Sequence, residues 1–321
     1  MRFNPRARLD TSRVRDAGRG GGGFGGGGFG GGGMRMPIPG GTRAGGGIGG
    51  LLILLLLFGI SQCAGVDITG GGGPTAAGSA VDTTRVAGDA ERYANCRSGA
   101  DANDDVDCAR IAVENSLFDY WSETLPAQAG TEFQSAGMLT FTGGVDTGCG
   151  QASSQVGPFY CPADSNIYLD TTFFDDVLER QLGGPDGGFV EPYVLAHEYG
   201  HHVQNLLGTM GRVRTQQGPS SDAVRLELQA DCYAGMWTAA ATPSEDSTGT
   251  TLFAELTQED ISQAIAAAEA VGDDRIQQKT QGQVTEESWT HGSADQRADW
   301  FQTGLDQGSI QACDTFAVET P

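Results

Sequence analysis

The apolar run Val190-Glu191-Pro192-Tyr193-Val194-Leu195-Ala196-His197-Glu198-Tyr199-Gly200-His201-His202-Val203-Gln204-Asn205-Leu206-Leu207 carries an H-E-x-x-H sequence at positions 197–201. Residues four apart on an α-helix lie one above the other, so this spacing aims the imidazoles of His197 and His201 at one point, with Glu198 beside them. Two imidazoles and a nearby carboxylate form a seat for zinc and a base for a water at the metal. A helix is predicted because Pro192 suits a first turn, Val194, Leu195, Val203, Leu206 and Leu207 supply an apolar face, and Gly208 can end it. Tyr199 and Gly200 read as structural, the glycine admitting a close neighbour. His202 sits about 100° around the helix from His201, which suits packing rather than direct ligation.

A second stretch, Glu227-Leu228-Gln229-Ala230-Asp231, reads E-x-x-A-D inside another helical pattern. A catalytic zinc takes three protein ligands and keeps a fourth position open, and Glu227 can be the third. Asp231, one turn later, can accept the outer N–H of a ligand histidine and fix its tautomer. The Gly/Gln-rich connection from Gly208 to Ser220 lets the second helix fold back on the first.

These residues resemble the gluzincin metallopeptidases, whose H-E-x-x-H is followed by a glutamate ligand on a later helix. The match narrows through HEYGHHVQ (197–204), ELQADCYAG (227–235), VGDDRI (271–276) and THGSADQR (290–297). Together they are similar to the bacterial putative neutral zinc metallopeptidase family over roughly Glu91 to Phe316. The resemblance implies a single-pass protein of the bacterial cell membrane with an external catalytic domain. The expected fold is α+β, a zincin-like domain, mostly helical with a small mixed sheet, behind one N-terminal transmembrane helix. The expected cofactor is Zn²⁺ and the expected substrate a peptide or protein.

The chemistry expected of such a centre is hydrolysis by a zinc-bound water whose pKa falls to about 7. Glu198 takes its proton as general base and passes it to the leaving amine. His291 is the candidate donor to the oxyanion, because the chain has four histidines and this one stands just ahead of a helix announced by Ser293 and Gln296. In proteases of this resemblance an edge strand above the zinc pairs with the extended substrate; Asn166–Asp170 is the candidate strand, an ordinary internal strand being the alternative reading of the same residues. The reading of a different class is a membrane-tethered zinc-containing binding or scaffold protein without turnover. Glu198 favours the enzyme, since a purely structural site is closed by four protein ligands.

The rest of the chain sets the frame. Residues 1–47 hold eight Arg against two Asp, a net of +6, leaving 11 basic and 39 acidic residues, or −28, elsewhere. So acidic a surface disfavours nucleic acid and supports solubility. Residues 1–47, basic and then almost pure glycine, read as a disordered cytoplasmic tail. Residues 48–66 are apolar but for Ser61, Gln62 and Cys63, long enough to anchor the chain, and the arginines ahead of them place the N-terminus in the cytoplasm. A cleaved signal peptide is the alternative, with an atypically long leader. Residues 67–90 read as a flexible linker and 91–321 as the extracytoplasmic domain. Beyond Cys63, six cysteines form an even set with fifteen possible pairings. Sequence proximity favours Cys96–Cys108 and Cys149–Cys161, leaving Cys232–Cys313. Helices are expected from Ala109 through Trp121, from Thr171 to Leu182 and from Thr257 to Val271, and a strand at Met138–Thr142.

Overall fold

Local sequence accounts for where the main helices begin and end. The computed structural model describes residues 1–19, 92–153, 156–180, 182–185, 187–242 and 249–321. Its elements run β1 (Arg2–Phe3), β2 (Val14–Arg19), α1 (Gly99–Asp104), α2 (Val106–Ala129), β3 (Gly137–Thr142), β4 (Gly144–Thr147), β5 (Gly150–Ser153), β6 (Phe159–Cys161) and β7 (Asn166–Asp170). Then follow α3 (Val190–Leu206), α4 (Asp222–Ala241), β8 (Phe253–Glu255), α5 (Gln258–Ala270), α6 (Asp273–Gln281) and α7 (Ala294–Gln307). The H-E-x-x-H helix is α3, and Gly208 follows it in the left-handed region at φ 73°. Reciprocal capping boxes open α5 through Thr257 and Asp260 and α7 through Ser293 and Gln296. Between Thr171 and Leu182 the expected helix is wound as a π-helix over Phe174–Glu179. Its wider winding brings Phe173, Phe174 and Leu178 onto one buried face.

The main sheet has strand order β2-β3-β7-β6, with β2, β3 and β7 parallel and β6 antiparallel to β7. Asn166–Asp170 is therefore an interior strand, the alternative reading of its sequence, and not the edge strand proposed to pair with substrate. Its register pairs Gly137 through Phe141 on one side and Phe159 through Cys161 on the other. Ile167, Tyr168, Leu169 and Asp170 are all buried, the continuous pattern of a strand covered on both faces. The edge beside α3 is β6.

Residues 1–19, expected within a structureless tail, are instead part of the domain. β1 pairs antiparallel with β8, and β2 lies parallel to β3 as the outer strand of the sheet. Phe3, Ala7 and Val14 are buried in the main core. Arg13 pairs with Glu114 of α2 at 2.7 Å and lies over the Phe118 ring, while Asn115 and Asp10 exchange two hydrogen bonds. Three buried apolar residues among arginines, with Met1 and Leu9 packed beside them, dock the segment because the domain supplies the partners. The glycine tract, the proposed anchor at 48–66 and the proposed linker lie outside the described residues. Among the described residues no helix is long and apolar enough to cross a membrane.

The described cysteines form Cys96–Cys108 and Cys149–Cys161, the pairs favoured by proximity, and Cys232–Cys313, the pair left over. The helices that matter for the site cross at glycines. A Cβ on Gly200 of α3 would lie 3.0 Å from the Cα and O of Ala230 in α4. A Cβ on Gly304 of α7 would lie 1.8 Å from the Cys232 carbonyl oxygen. Helix α4 is thereby held closely between α3 and α7, which brings Glu227 and Asp231 under the histidines.

Candidate metal centre

His197 and His201 stack edge to face on α3 with ring centroids 4.7 Å apart. From α4, Glu227 reaches up between them, with Oε2 3.2 Å from His197 Nε2 and Oε1 3.6 Å from His201 Nε2. One donor atom from each of the three lies within 4.8 Å of the others, and no fourth side chain joins them among the described residues. Burial favours a neutral His197, but Asp231 and Glu227 outweigh it and raise its pKa to about 10. For Glu227, burial favours the protonated form, yet the adjacent histidines hold its carboxyl well below the usual range. A buried carboxylate between two imidazoles is a strongly cation-favouring place. The donor set, two nitrogens and one oxygen with a position left over, fits zinc in a catalytic rather than a structural role.

The outer nitrogens of both rings are also engaged. His197 Nδ1 lies 2.8 Å from Asp231 Oδ1, as the E-x-x-A-D spacing predicts. Sequence reading missed the rest of this network. Tyr193 Oη donates to Asp231 Oδ1 at 2.6 Å, and Arg297 of α7 donates to Asp231 from Nε at 2.7 Å and Nη2 at 2.9 Å. Although burial opposes it, Arg297 and His197 depress the pKa of Asp231 to about 2. Arg297 closes the quoted THGSADQR stretch, so its position was visible while its partner, 66 residues away, was not. Gln204 was likewise unassigned, and its Oε1 lies 2.8 Å from His201 Nδ1.

Glu198 is buried next to the metal-facing imidazoles. Burial raises the pKa of its carboxyl, against the pull of His201 and His197 and a hydrogen bond from the backbone N–H of Tyr160 in β6. The edge strand therefore touches the residue read as the base. His202 points away: its Nδ1 lies 3.1 Å from Tyr160 Oη and its Nε2 2.6 Å from the Gln134 carbonyl oxygen, so it packs α3 against the sheet. Tyr233 is also core.

His291 stands in the turn before α7, and its charge is one of the influences that lower the Glu227 pKa. Asp273, from the VGDDRI stretch, holds that turn. Its Oδ2 accepts the backbone N–H groups of Thr290 at 2.7 Å, His291 at 2.7 Å and Gly292 at 3.1 Å, and Oδ1 lies 3.5 Å from His291 Nδ1. The structure thus gathers His197, His201, Glu227, Glu198 and Asp231, and sets His291 at their margin.

A family model described as "Putative neutral zinc metallopeptidase" matches residues 1–316, a span that includes β1 and β2. An uncharacterized protein of Mycobacterium tuberculosis, Rv2575, is 52% identical over 225 residues, covering 70% of this chain and 75% of that protein. The uncharacterized protein YpfJ of Escherichia coli K12 is 36% identical over 282 residues, covering 86% of this chain and 89% of its own length. No solved structure matches the chain.

Proposed function

Because the chain belongs to the putative neutral zinc metallopeptidase family, we propose that it hydrolyses peptide bonds in peptide or protein substrates, with His197, His201 and Glu227 holding Zn²⁺ and Glu198 acting as general base. The observation that carries this reading is the meeting of three donors from two distant helices, with no fourth protein ligand among the described residues and a buried carboxylate alongside. Zinc, when bound, supplies Lewis-acid polarisation of the scissile carbonyl and lowers the pKa of a water to about 7. Glu198 accepts a proton from the attacking water as its oxygen adds to the carbonyl carbon. The same carboxyl then delivers that proton to the departing nitrogen as the C–N bond breaks. Burial raises the pKa of this carboxyl, which favours its taking up the proton. His291, held by Asp273, donates an N–H to the developing oxyanion.

An extended substrate would lie along β6, the strand that ends the described sheet next to α3 and whose Tyr160 N–H reaches Glu198. The test compares zinc-loaded wild type with Glu198→Gln on a peptide library. Cleavage by the wild type alone, at equal metal content, is the expected result. Equal zinc content and no cleavage by either protein would favour a tethered zinc protein without turnover.

A further inference from the structure

We infer that Gln204 and Gln229 are positioning residues for His201, linking its imidazole to the backbone at Cys313; the inference rests on the metal centre proposed above. Both side chains are buried, at 0% and 4% exposure. Gln204 Nε2 donates to the Leu226 carbonyl oxygen at 2.7 Å and to Gln229 Oε1 at 3.1 Å. Gln229 Nε2 in turn donates to the Cys313 carbonyl oxygen at 3.0 Å. Every step has one direction, because a backbone carbonyl can only accept. The amide of Gln204 therefore cannot flip without facing its NH₂ towards His201 and its oxygen towards two acceptors. Its Oε1 is committed to His201 Nδ1, which must carry the hydrogen, and the lone pair of Nε2 is left facing Glu227. His197 obtains the same tautomer from a charged partner, Asp231; His201 obtains it from a neutral chain of amides.

Cys313 is fixed by its disulfide to Cys232, the residue after Asp231 on α4. Both histidines are thus oriented from the same short stretch of α4, one through Asp231 and one through Gln229. The full-length protein, with Gln204→Leu, Gln229→Leu and the double variant, tests this by chelator competition for zinc and by exchange of the His201 Nδ1–H in NMR. Gln204→Leu should weaken zinc by ~10–100-fold, the usual size for partners of ligand histidines. Gln229→Leu should weaken it less, and the double variant no more than Gln204→Leu alone, because Gln229 acts through Gln204. The Nδ1–H should exchange faster in each variant, with or without metal. Unchanged affinity and exchange in Gln204→Leu, or fully additive losses in the double variant, would overturn the relay. A wild type that takes up no zinc would sink the metal centre instead, and the exchange rates in metal-free protein would still decide the relay.

A separate observation carries a second inference. We propose that residues 2–19 and the domain from residue 92 onwards occupy the same side of any membrane. The two are one folded unit: Gly99 N–H donates to the Ala7 carbonyl at 2.9 Å, Leu9 N–H to that of Arg97 at 3.1 Å, and Met138 N–H to that of Arg13 at 2.9 Å. A Cβ on Gly99 would lie 2.0 Å from the Asn4 carbonyl oxygen, so the approach is backbone to backbone. Glu114, 2% exposed, has the Arg13 guanidinium on both carboxylate oxygens. Withdrawing the segment would strand that buried charge. A chain that crossed a membrane once between residues 19 and 92 would separate these partners. Ser12 and Val284 are exposed, the latter at 43%, and offer reporter positions. In the full-length chain with Cys63→Ser, Ser12→Cys and Val284→Cys are each exposed to a membrane-impermeant maleimide in intact and lysed cells. Matching behaviour, both labelled or both protected until lysis, is the expected result. Labelling of only one in intact cells would overturn the proposal.

Discussion

A methyl group on Gly200 tests whether the spacing of α3 and α4 sets the metal centre. The Cβ of Gly200→Ala would meet Ala230 at 3.0 Å from Cα, 3.0 Å from O and 3.3 Å from Cβ. Carbon atoms in contact prefer about 3.5–4.0 Å, so the helices must part locally by roughly half an ångström. Backbone atoms have no rotamer through which to escape. Glu227 lies almost one turn before Ala230, and His197 and His201 flank Gly200, so the parting adds directly to the distance between the carboxylate and the imidazoles. Metal sites tolerate only about ±0.2 Å. For stability, overpacking costs about 1–3 kcal/mol while replacing a helical glycine by alanine returns about 1 kcal/mol, a net loss of up to about 2 kcal/mol. For zinc, the expected loss is about 1.4 kcal/mol or more, at least roughly tenfold in affinity. Thermal unfolding of the metal-free protein reads the first and chelator competition the second. A variant that melts earlier yet binds zinc as tightly as wild type would refute the reasoning, because the spacing of the helices would then not govern the ligands.

Asp231→Asn should lower zinc affinity by ~10–100-fold by chelator titration, and unchanged affinity would reduce Asp231 to a helix residue. Arg297→Met leaves the fully buried Asp231 carboxylate without its guanidinium and should cost about 3–5 kcal/mol in denaturant unfolding. A further Asp231→Leu in that background should recover part of the loss, since the stranded charge is gone. Asp273 gives a pH dependence. Burial opposes its ionisation, but the His291 side chain and the N–H groups of His291 and Thr290 hold its carboxyl below the ordinary 3.8. A depressed carboxylate contributes stability that is present above 3.8 and lost as pH falls through the folded value. Wild type should therefore lose stability on acidification below about pH 4 more steeply than Asp273→Asn, as followed by thermal unfolding across pH.

What the sequence made legible was local. The four-residue step between His197 and His201, the Thr257 and Ser293 capping boxes and the glycine at 208 each depend on neighbours within one turn, and each is found where its spacing puts it. Glu227 and Asp231 were readable because a ligand and its supporting carboxylate share one helix face. The disulfides followed proximity in two cases and elimination in the third. What escaped depends on pairing across long separations. Arg2–Arg19 carry the composition of a charged tail, and only the waiting edge of β3 and the buried Glu114 make strands and an ion pair of them. The interior place of Asn166–Asp170 was hinted at by its unbroken apolar run, whereas strand order needed the whole sheet. Gln204, Gln229 and Arg297 are ordinary polar residues on helices until their partners are known.

The bridge from Cys232 to Cys313 encloses α5, α6, α7, His291 and Arg297 in a covalent ring spanning 81 residues. A single scission inside that ring releases no fragment: Arg297 stays tethered opposite Asp231, and the injured molecule runs as one band until reductant opens it. The bridge thus keeps a nicked chain whole over the part that carries the histidine turn.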